Sequence, residues 1–556
     1  MNASTAPVAP SRGVAPAATP VADVCLILEG TYPYVQGGVS SWVHQIVTEL
    51  PEVTFALFFL GSTREQAQKK RYTPPPNVIS LTEVFLFERL PAEEMKPAEL
   101  DDDARARVYA ALRPFYLAAN DEERMAAFWS AIDAIDAVEA AGGRFTFGNL
   151  CRDAEAWELL TDACEKFAPE ESFIDFFWAA RFVHLPVWIA LRARHLLPPA
   201  RLYHSVSTGY AGTLGAIAAR RHGAPYLITE HGIYTKERIA EISQATWIYD
   251  PRSRYFDVGE GIGAFKQFWI NLFMFLGQVS YAGAQRIVSL FEGNTYLQIE
   301  FGAEARRLEV IPNGIDPSKF DAALEKRRER LTHHGVGGEI VVGFIGRVVP
   351  IKDVKTLIRA ARSVVAREPR AVFHIIGPTE EDPDYFEECK QMVTLMGLEQ
   401  KVLFLGPKNV REILAGLDVC LLTSISEGLP LIILEAFAAG VPCVATDVGA
   451  CRELIFGRTP EDKAIGRAGL LTKICSPLDT ADAVLRVIAS AENLLTMGQA
   501  GRVRAERHYR QAEIMGKYRR FYTDHAWAAA VCDRRPNAEA TSVGGHRLPP
   551  DQQQKS

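Results

Sequence analysis

Residues 418–440 read "DVCLLTSISEGLPLIILEAFAAG". The apolar run "VCLL" ends in a polar loop, and the run after it has helical length. Pro430 suits the first helical position and Gly440 the residue past the last. Strand, short loop and helix make the repeating unit of a doubly wound α/β sheet, which binds ligands beyond the carboxyl ends of its strands. Glu427 falls in that loop and Glu435 further along the helix, two carboxylates bracketing an otherwise apolar run. Such charges are costly to bury unpaired, so their position asks for a partner. The free N–H groups of the first helical turn make an anion site. Because Pro430 has no N–H, the amides of Gly428, Leu429 or Leu431 would serve it. An acid on each side of an anion suits a phosphate flanked by two hydroxyl-bearing sugars. A helix-start carboxylate and a surface acid would account for the same two residues.

The same unit repeats outward. "EIVVGFIGRV", "RAVFHIIGP", "KVLFLGP", "VPCVATD" and "AGLLTK" alternate with helical stretches over 335–508, as a parallel sheet covered on both faces requires. Upstream, "DVCLILEG", "VTFALFFLG", "RLYHSV", "PYLITEHG", "RIVSLF" and "LEVIP" give a second α/β domain over 21–320. An Ala-, Glu- and aromatic-rich region at about 62–200 reads as a helical insertion between its strands. A basic stretch, "EKRRERLTHHGVGG", marks the boundary. A helix at 509–530 is expected to pack back on the first domain, and 1–20 and 533–556 to be disordered tails. The fold class is α/β, with two Rossmann-like domains facing across a cleft.

A chain of 556 residues exceeds one hydrophobic core. Its formal charge of −7 provides no global field for nucleic acid or an anionic bilayer, so phosphate binding must come from a few placed residues. The nine cysteines are scattered, several of them within apolar runs, without metal spacing, which fits reduced thiols in the cytoplasm. The Ala- and Pro-rich opening lacks the apolar core of a signal peptide. Residues 267–285 carry no charge over nearly a membrane-spanning length. Their Gln, Asn, Ser and Gly content reads as a buried helix, so the chain is expected to have no transmembrane segment.

Four further stretches place chemistry at the cleft. In "GFIGRVVPIKDVKTLIRAA", Arg347 and Lys352 project from a strand-to-helix loop, with Asp353 suited to cap the helix. A guanidinium and an ammonium together hold a pyrophosphate, and at a helix start they are electrostatically costly without one. In "EGTYPYVQGGVSSWV", Gly37 and Gly38 permit close backbone approach. In "LITEHGIYTKERI", His231 ends a strand of the first domain. In "IPNGIDPSKF", Asn313-Gly314 forms a turn that also suits a hinge.

Together "GRVVPIKDVKTLI", "SEGLPLIILEA" with its E-x7-E spacing, "IPNGID" and the glycine loop resemble the retaining family-4 glycosyltransferases of the GT-B fold. The stretches "CLILEGTYPYVQGGVSSWVHQIV" and "ITEHGIYTKERI" are similar, more narrowly, to the soluble glycosyltransferases of Pel exopolysaccharide synthesis. The resemblance implies a UDP-sugar donor, a saccharide acceptor, no metal, and inner-membrane assembly proteins as partners of a cytoplasmic enzyme. It implies that Arg347 and Lys352 neutralise the departing diphosphate, Glu427 contacts the donor sugar and Glu435 the ribose. Gly37 and Gly38 would reach the phosphate, with His231 beside the donor sugar. A catalytically idle sugar-nucleotide-binding scaffold and a GT-B-shaped epimerase are the alternatives.

Overall fold

The computed structural model describes residues 21–67, 69–248, 262–334, 338–525 and 528. The tails expected at 1–20 and 533–556 lie outside them. Two parallel sheets organise the chain. The first contains β1 (Ala22–Glu29), β2 (Phe55–Gly61), β3 (Val78–Phe85), β4 (Ala200–Ser205), β5 (Tyr226–Glu230), β6 (Arg286–Ser289) and β7 (Leu308–Val310), ordered β3-β2-β1-β4-β5-β6-β7. The second contains β8 (Ile340–Ile345), β9 (Ala371–Ile376), β10 (Val402–Gly406), β11 (Val419–Leu422), β12 (Cys443–Thr446) and β13 (Gly469–Thr472), ordered β10-β9-β8-β11-β12-β13. Each order reverses once, at β1/β4 and at β8/β11, and such switch points open the crevices in which α/β sheets bind ligands.

Period-two burial builds the core on both faces of each sheet. On β1, Cys25 and Ile27 join the cluster under Gly209–His222 and Ala264–Gly283, while Val24, Leu26 and Leu28 join Trp42, Val43 and Ile46 of the helix Gly38–Glu49. Register is fixed by pairs such as Leu26 with Leu57 and with His204, and Gly343 with His374. The uncharged segment 267–285 falls largely in Ala264–Gly283, whose Phe265, Trp269, Phe273 and Val279 are buried. One helix among the described residues, Phe173–Ala193, is long and apolar enough by length and composition to cross a membrane.

The insertion differs from the expected wholly helical stretch at 62–200. β3 lies inside that range as an edge strand. Only its last residues, Val84 and Phe85, are buried, so it lacks the continuous apolar run that marked the other strands. The helices Asp102–Leu117, Asp121–Ala140, Phe147–Arg152, Ala154–Phe167 and Phe173–Ala193 then fill the chain between β3 and β4.

After the helix Ala491–His508 the backbone crosses between domains. Ile315 N donates to Tyr509 O at 2.8 Å, and Gln511 N donates to Ile315 O at 2.8 Å. The helix Gln511–Thr523 then packs Ile514, Met515, Tyr518, Phe521 and Tyr522 against Val24, Leu26, Trp42 and Leu202. Burying each such side chain is worth about 1.5–3 kcal/mol. Tyr522 Oη and His204 Nδ1, 2.8 Å apart, give this apolar contact a polar register. The helix thus completes the core of the first domain.

Candidate active site at the cleft between the two sheets

The loops after β8 and β11 meet at the second switch point. Asp353 caps the helix Val354–Arg367, its Oδ1 accepting from Thr356 N at 3.1 Å, and adopts a left-handed conformation with φ 46°. Thr423 Oγ1 lies 3.0 Å from the carbonyl oxygens of both Lys352 and Asp353, and Ile425 N donates to Ile351 O at 2.9 Å. With the loops stapled in this way, Lys352 Nζ donates to Glu427 Oε1 at 2.5 Å, the side chains being 19% and 11% exposed. A pair so enclosed trades lost hydration against Coulomb attraction, and removing one member strands the other.

Arg347 stands apart from that pair. Its Nη1 donates to Glu381 Oε1 at 2.5 Å, and both side chains are about half exposed. The two cations expected to converge on one anion therefore each hold a separate acid. Exposed pairs contribute about 0–1 kcal/mol, so Arg347 is released at little cost. Its loop stays on the same sheet edge through Val348 N donating to Pro378 O at 3.0 Å. Glu381 was missed because sequence does not show which loop lies beside which.

Pro430 is the cap residue of the helix Leu431–Ala438, one position earlier than its expected first-turn place, and Leu431 begins the helix. Gly440, with φ 70°, follows the helix end as expected. Glu435 is half-buried, and burial pushes its carboxyl up to about 7, with Arg411 pulling against the rise. A simple surface acid does not describe it. Leu429 is buried in an apolar cluster with Leu290 and Phe291 of the first domain. Beside it lies a cavity of about 190 Å³ whose lining includes Phe291, Glu453, Arg458 and Lys517.

Gly428 is set by the opposite domain. A Cβ there would lie 2.6 Å from the carbonyl oxygen of His231, closer than such atoms approach, so only glycine permits this meeting of the domains. Gly428 O in turn accepts from Ala450 N at 2.8 Å. The His231 ring meets Trp42 edge-on, with centroids 4.7 Å apart. Both ring nitrogens are buried without a hydrogen-bond partner, and burial pushes the imidazole down to about 4, leaving it neutral near pH 7. Buried polar atoms are rarely left so.

Gly37 caps the helix Gly38–Glu49, which has neither a side-chain cap nor an acid in its first turn. A Cβ at Gly37 or Gly38 would meet open space, so packing does not account for either glycine. Asn313 is buried with Oδ1 unpartnered. Gly314 has a packing explanation, because a Cβ there would lie 2.6 Å from Gln511 Cα at the domain crossing. This favours its reading as part of a hinge over one as a ligand contact.

Two acids that close strands of the first sheet escaped the sequence reading, half-buried Glu29 and buried Glu230, each the last residue of its strand. Glu29 accepts from Ala211 N at 3.2 Å and from Tyr234 Oη. Glu230 accepts from Tyr281 Oη at 2.6 Å and Gln298 Nε2 at 2.9 Å. Burial holds both carboxyls above the usual range. Glu230 fixes the strand end from which His231 departs. An acid closing an apolar strand, as in "LILEG" and "LITEHG", was the available signal.

Among the described residues, Asp136, Glu139 and His195 of the first domain have ligand atoms close enough to hold a metal. Their chemistry argues otherwise. Arg194 Nη2 lies 2.6 Å from Asp136 and 3.1 Å from Glu139, and Arg192 also pairs with Glu139, so guanidiniums already occupy the carboxylates.

Residues 22–306 match the family described as "Domain of unknown function (DUF3492)", and residues 339–490 match "Glycosyl transferases group 1". A D-inositol 3-phosphate glycosyltransferase of Acidothermus cellulolyticus is 26% identical over 321 residues, 55% of this chain and 64% of that protein. One from Geodermatophilus obscurus is 31% identical over 210 residues, 36% of this chain and 44% of that protein. The chain thus spans about half the length of the curated relatives it matches. Among solved structures, sucrose-phosphate synthase from Thermosynechococcus elongatus has a TM-score of 0.55 at 14% identity, covering 91% of this chain and 99% of its own. Anabaena HepE in complex with UDP has a TM-score of 0.51 at 16% identity, covering 90% and 98%. With its two parallel sheets and these neighbours, the chain has the GT-B fold; it belongs to the DUF3492 family through residues 22–306 and carries a glycosyl transferases group 1 domain at 339–490.

Proposed function

We propose that this chain is a metal-independent retaining glycosyltransferase, PelF-like, moving a hexosyl unit from a UDP-sugar to a growing exopolysaccharide. The observation that carries the reading is the enclosed Lys352–Glu427 pair beside Gly428, at the point where that loop meets His231 of the opposite domain. The names of the curated relatives, the group 1 domain and the UDP in HepE support it.

The chemistry follows from the charges. A UDP-sugar brings a diphosphate, and its anion competes with Glu427 for Lys352 and with Glu381 for Arg347. Glu427, once released, accepts from donor-sugar hydroxyls, while Glu435 accepts from the ribose. The amides of Gly37, Gly38, Gly428, Leu429 and Leu431 donate to the phosphates. As the bond from the anomeric carbon to the diphosphate breaks, charge grows on the leaving oxygens, where a preplaced ammonium and guanidinium stabilise it most. The acceptor hydroxyl attacks from the same face and gives its proton to the departing phosphate, so configuration is retained. The neutral His231 ring lies beside the electron-poor sugar. The enzyme works in the cytoplasm, reaching the inner membrane through Pel-type assembly proteins.

The test is calorimetric titration with UDP and then with UDP-glucose, UDP-N-acetylglucosamine and UDP-N-acetylgalactosamine, followed by a transfer assay on oligosaccharides. Binding followed by transfer supports the reading, binding without turnover leaves a scaffold, and UDP release indifferent to acceptor marks an epimerase.

A further inference from the structure

The helix Phe173–Ala193 has two apolar faces. Phe176, Ala180, Val183 and Trp188 are buried, and Phe176 stacks on Phe268 with centroids 5.8 Å apart. The other face carries Ile174, Trp178 and Phe182, spaced four apart and each half or more exposed. Side chains at that spacing lie in one stripe. The helix Ala154–Phe167 extends it, because half-exposed Trp157 has its ring 5.0 Å from Phe173 and 5.7 Å from Phe177. Phe177 in turn stands 5.5 Å from Trp178. Aromatic side chains gathered in one exposed patch mark a binding surface.

The charge around the patch selects its occupant. From Arg152 to Phe182 the sequence holds eight acids against three bases, and Arg105 and Arg113 from outside the stretch pair with Asp153 and Asp162, so an acidic excess remains. Arg181 lies over the Trp178 ring, and Lys166 Nζ donates to Leu117 O at 2.8 Å and lies over Phe167. Glu158, Glu165 and Glu170 remain exposed. A second copy laid face to face would set acid against acid, and an anionic bilayer would be repelled. Entry of Phe173–Ala193 into a bilayer would also strip the core of its buried face.

We propose that this face docks a protein partner presenting an apolar segment flanked by Lys and Arg, of which an amphipathic basic helix is the simplest form. The stripe shares no residue with the candidate active site, so the inference stands apart from the proposed activity.

The experiment is fluorescence anisotropy of the full chain with a labelled amphipathic Leu/Lys helical peptide and a matched Leu/Glu peptide. The comparison protein is Trp178→Glu/Phe182→Glu, which leaves the acids in place. The Leu/Lys peptide is expected to bind the natural chain, to weaken with salt, and to lose about tenfold or more on the variant. The Leu/Glu peptide is expected to bind at least about tenfold more weakly. Trp157→Ser, on the neighbouring helix, gives an independent reading if the double variant melts early. Equal binding of the two peptides, or undiminished Leu/Lys binding to the variants, overturns the proposal. Sedimentation with phosphatidylserine vesicles that the variant abolishes assigns the face to lipid instead. A dimer that the variant dissolves assigns it to a second copy.

Discussion

Lys352 holds the Glu427 carboxylate in the structure and a phosphate in the proposed reaction, and its replacement tests both roles. Lys352→Ala is expected to lower kcat about 100-fold or more, each 1.36 kcal/mol of lost stabilisation costing about tenfold. It should also lower the melting temperature, because Glu427 is left without its partner. Adding Glu427→Gln should recover the melting temperature and leave kcat low, and calorimetry with a turnover assay reads both. Glu435 gives a pH signature. Its carboxyl is raised by burial to about 7, so the folded protein holds that proton more tightly than the unfolded chain. The stabilisation is therefore full below the ordinary carboxylate range and is lost as pH rises toward and past 7. Glu435→Gln should make the protein more stable at pH 8 by about 2 kcal/mol, with no gain at pH 4, as followed by urea unfolding. With the ionised carboxylate holding the ribose, UDP-glucose affinity should rise between pH 6 and 8 in the natural chain and stay flat in the variant.

At the scale of elements, the loop after β11 is shaped by what it meets. Gly428→Ala places a methyl against the His231 carbonyl, so the domains must part or shift to admit it. The variant is expected to keep its secondary structure, to show a larger radius of gyration by small-angle scattering, and to lose about tenfold or more in kcat, as a small misplacement of reacting groups does. The loop itself was legible in the sequence, because strand, polar break and capped helix occur in order and set Glu427 and Lys352 on one sheet edge. The partner of Gly428 was not, since that contact joins residues nearly two hundred positions apart in different domains. β3 was hidden for another reason, its edge position leaving it half polar. The stripe Ile174, Trp178 and Phe182 misleads in sequence, where apolar residues four apart look like a core-facing helix.

Across the whole molecule, the two domains are tied by the backbone crossing at Ile315 and Tyr509 and by the helix Gln511–Thr523. The overall architecture was readable because both sheets repeat one unit. The arrangement of Gly314 under Gln511 needed the third dimension. Ending the chain at Tyr509 uncovers the face of the first sheet that Tyr518 and Tyr522 seal, so the shortened protein is expected in the insoluble fraction. Tyr518→Ala in the full chain should cost about 3–5 kcal/mol in chemical denaturation. This closure also sets an order of events during synthesis. β7 leaves the ribosome roughly 200 residues ahead of the helix that covers its sheet, a delay of about 10–40 s at ordinary translation rates. Through that interval the nascent first domain carries an open apolar flank, which makes it a client for chaperones until the far end of the chain emerges.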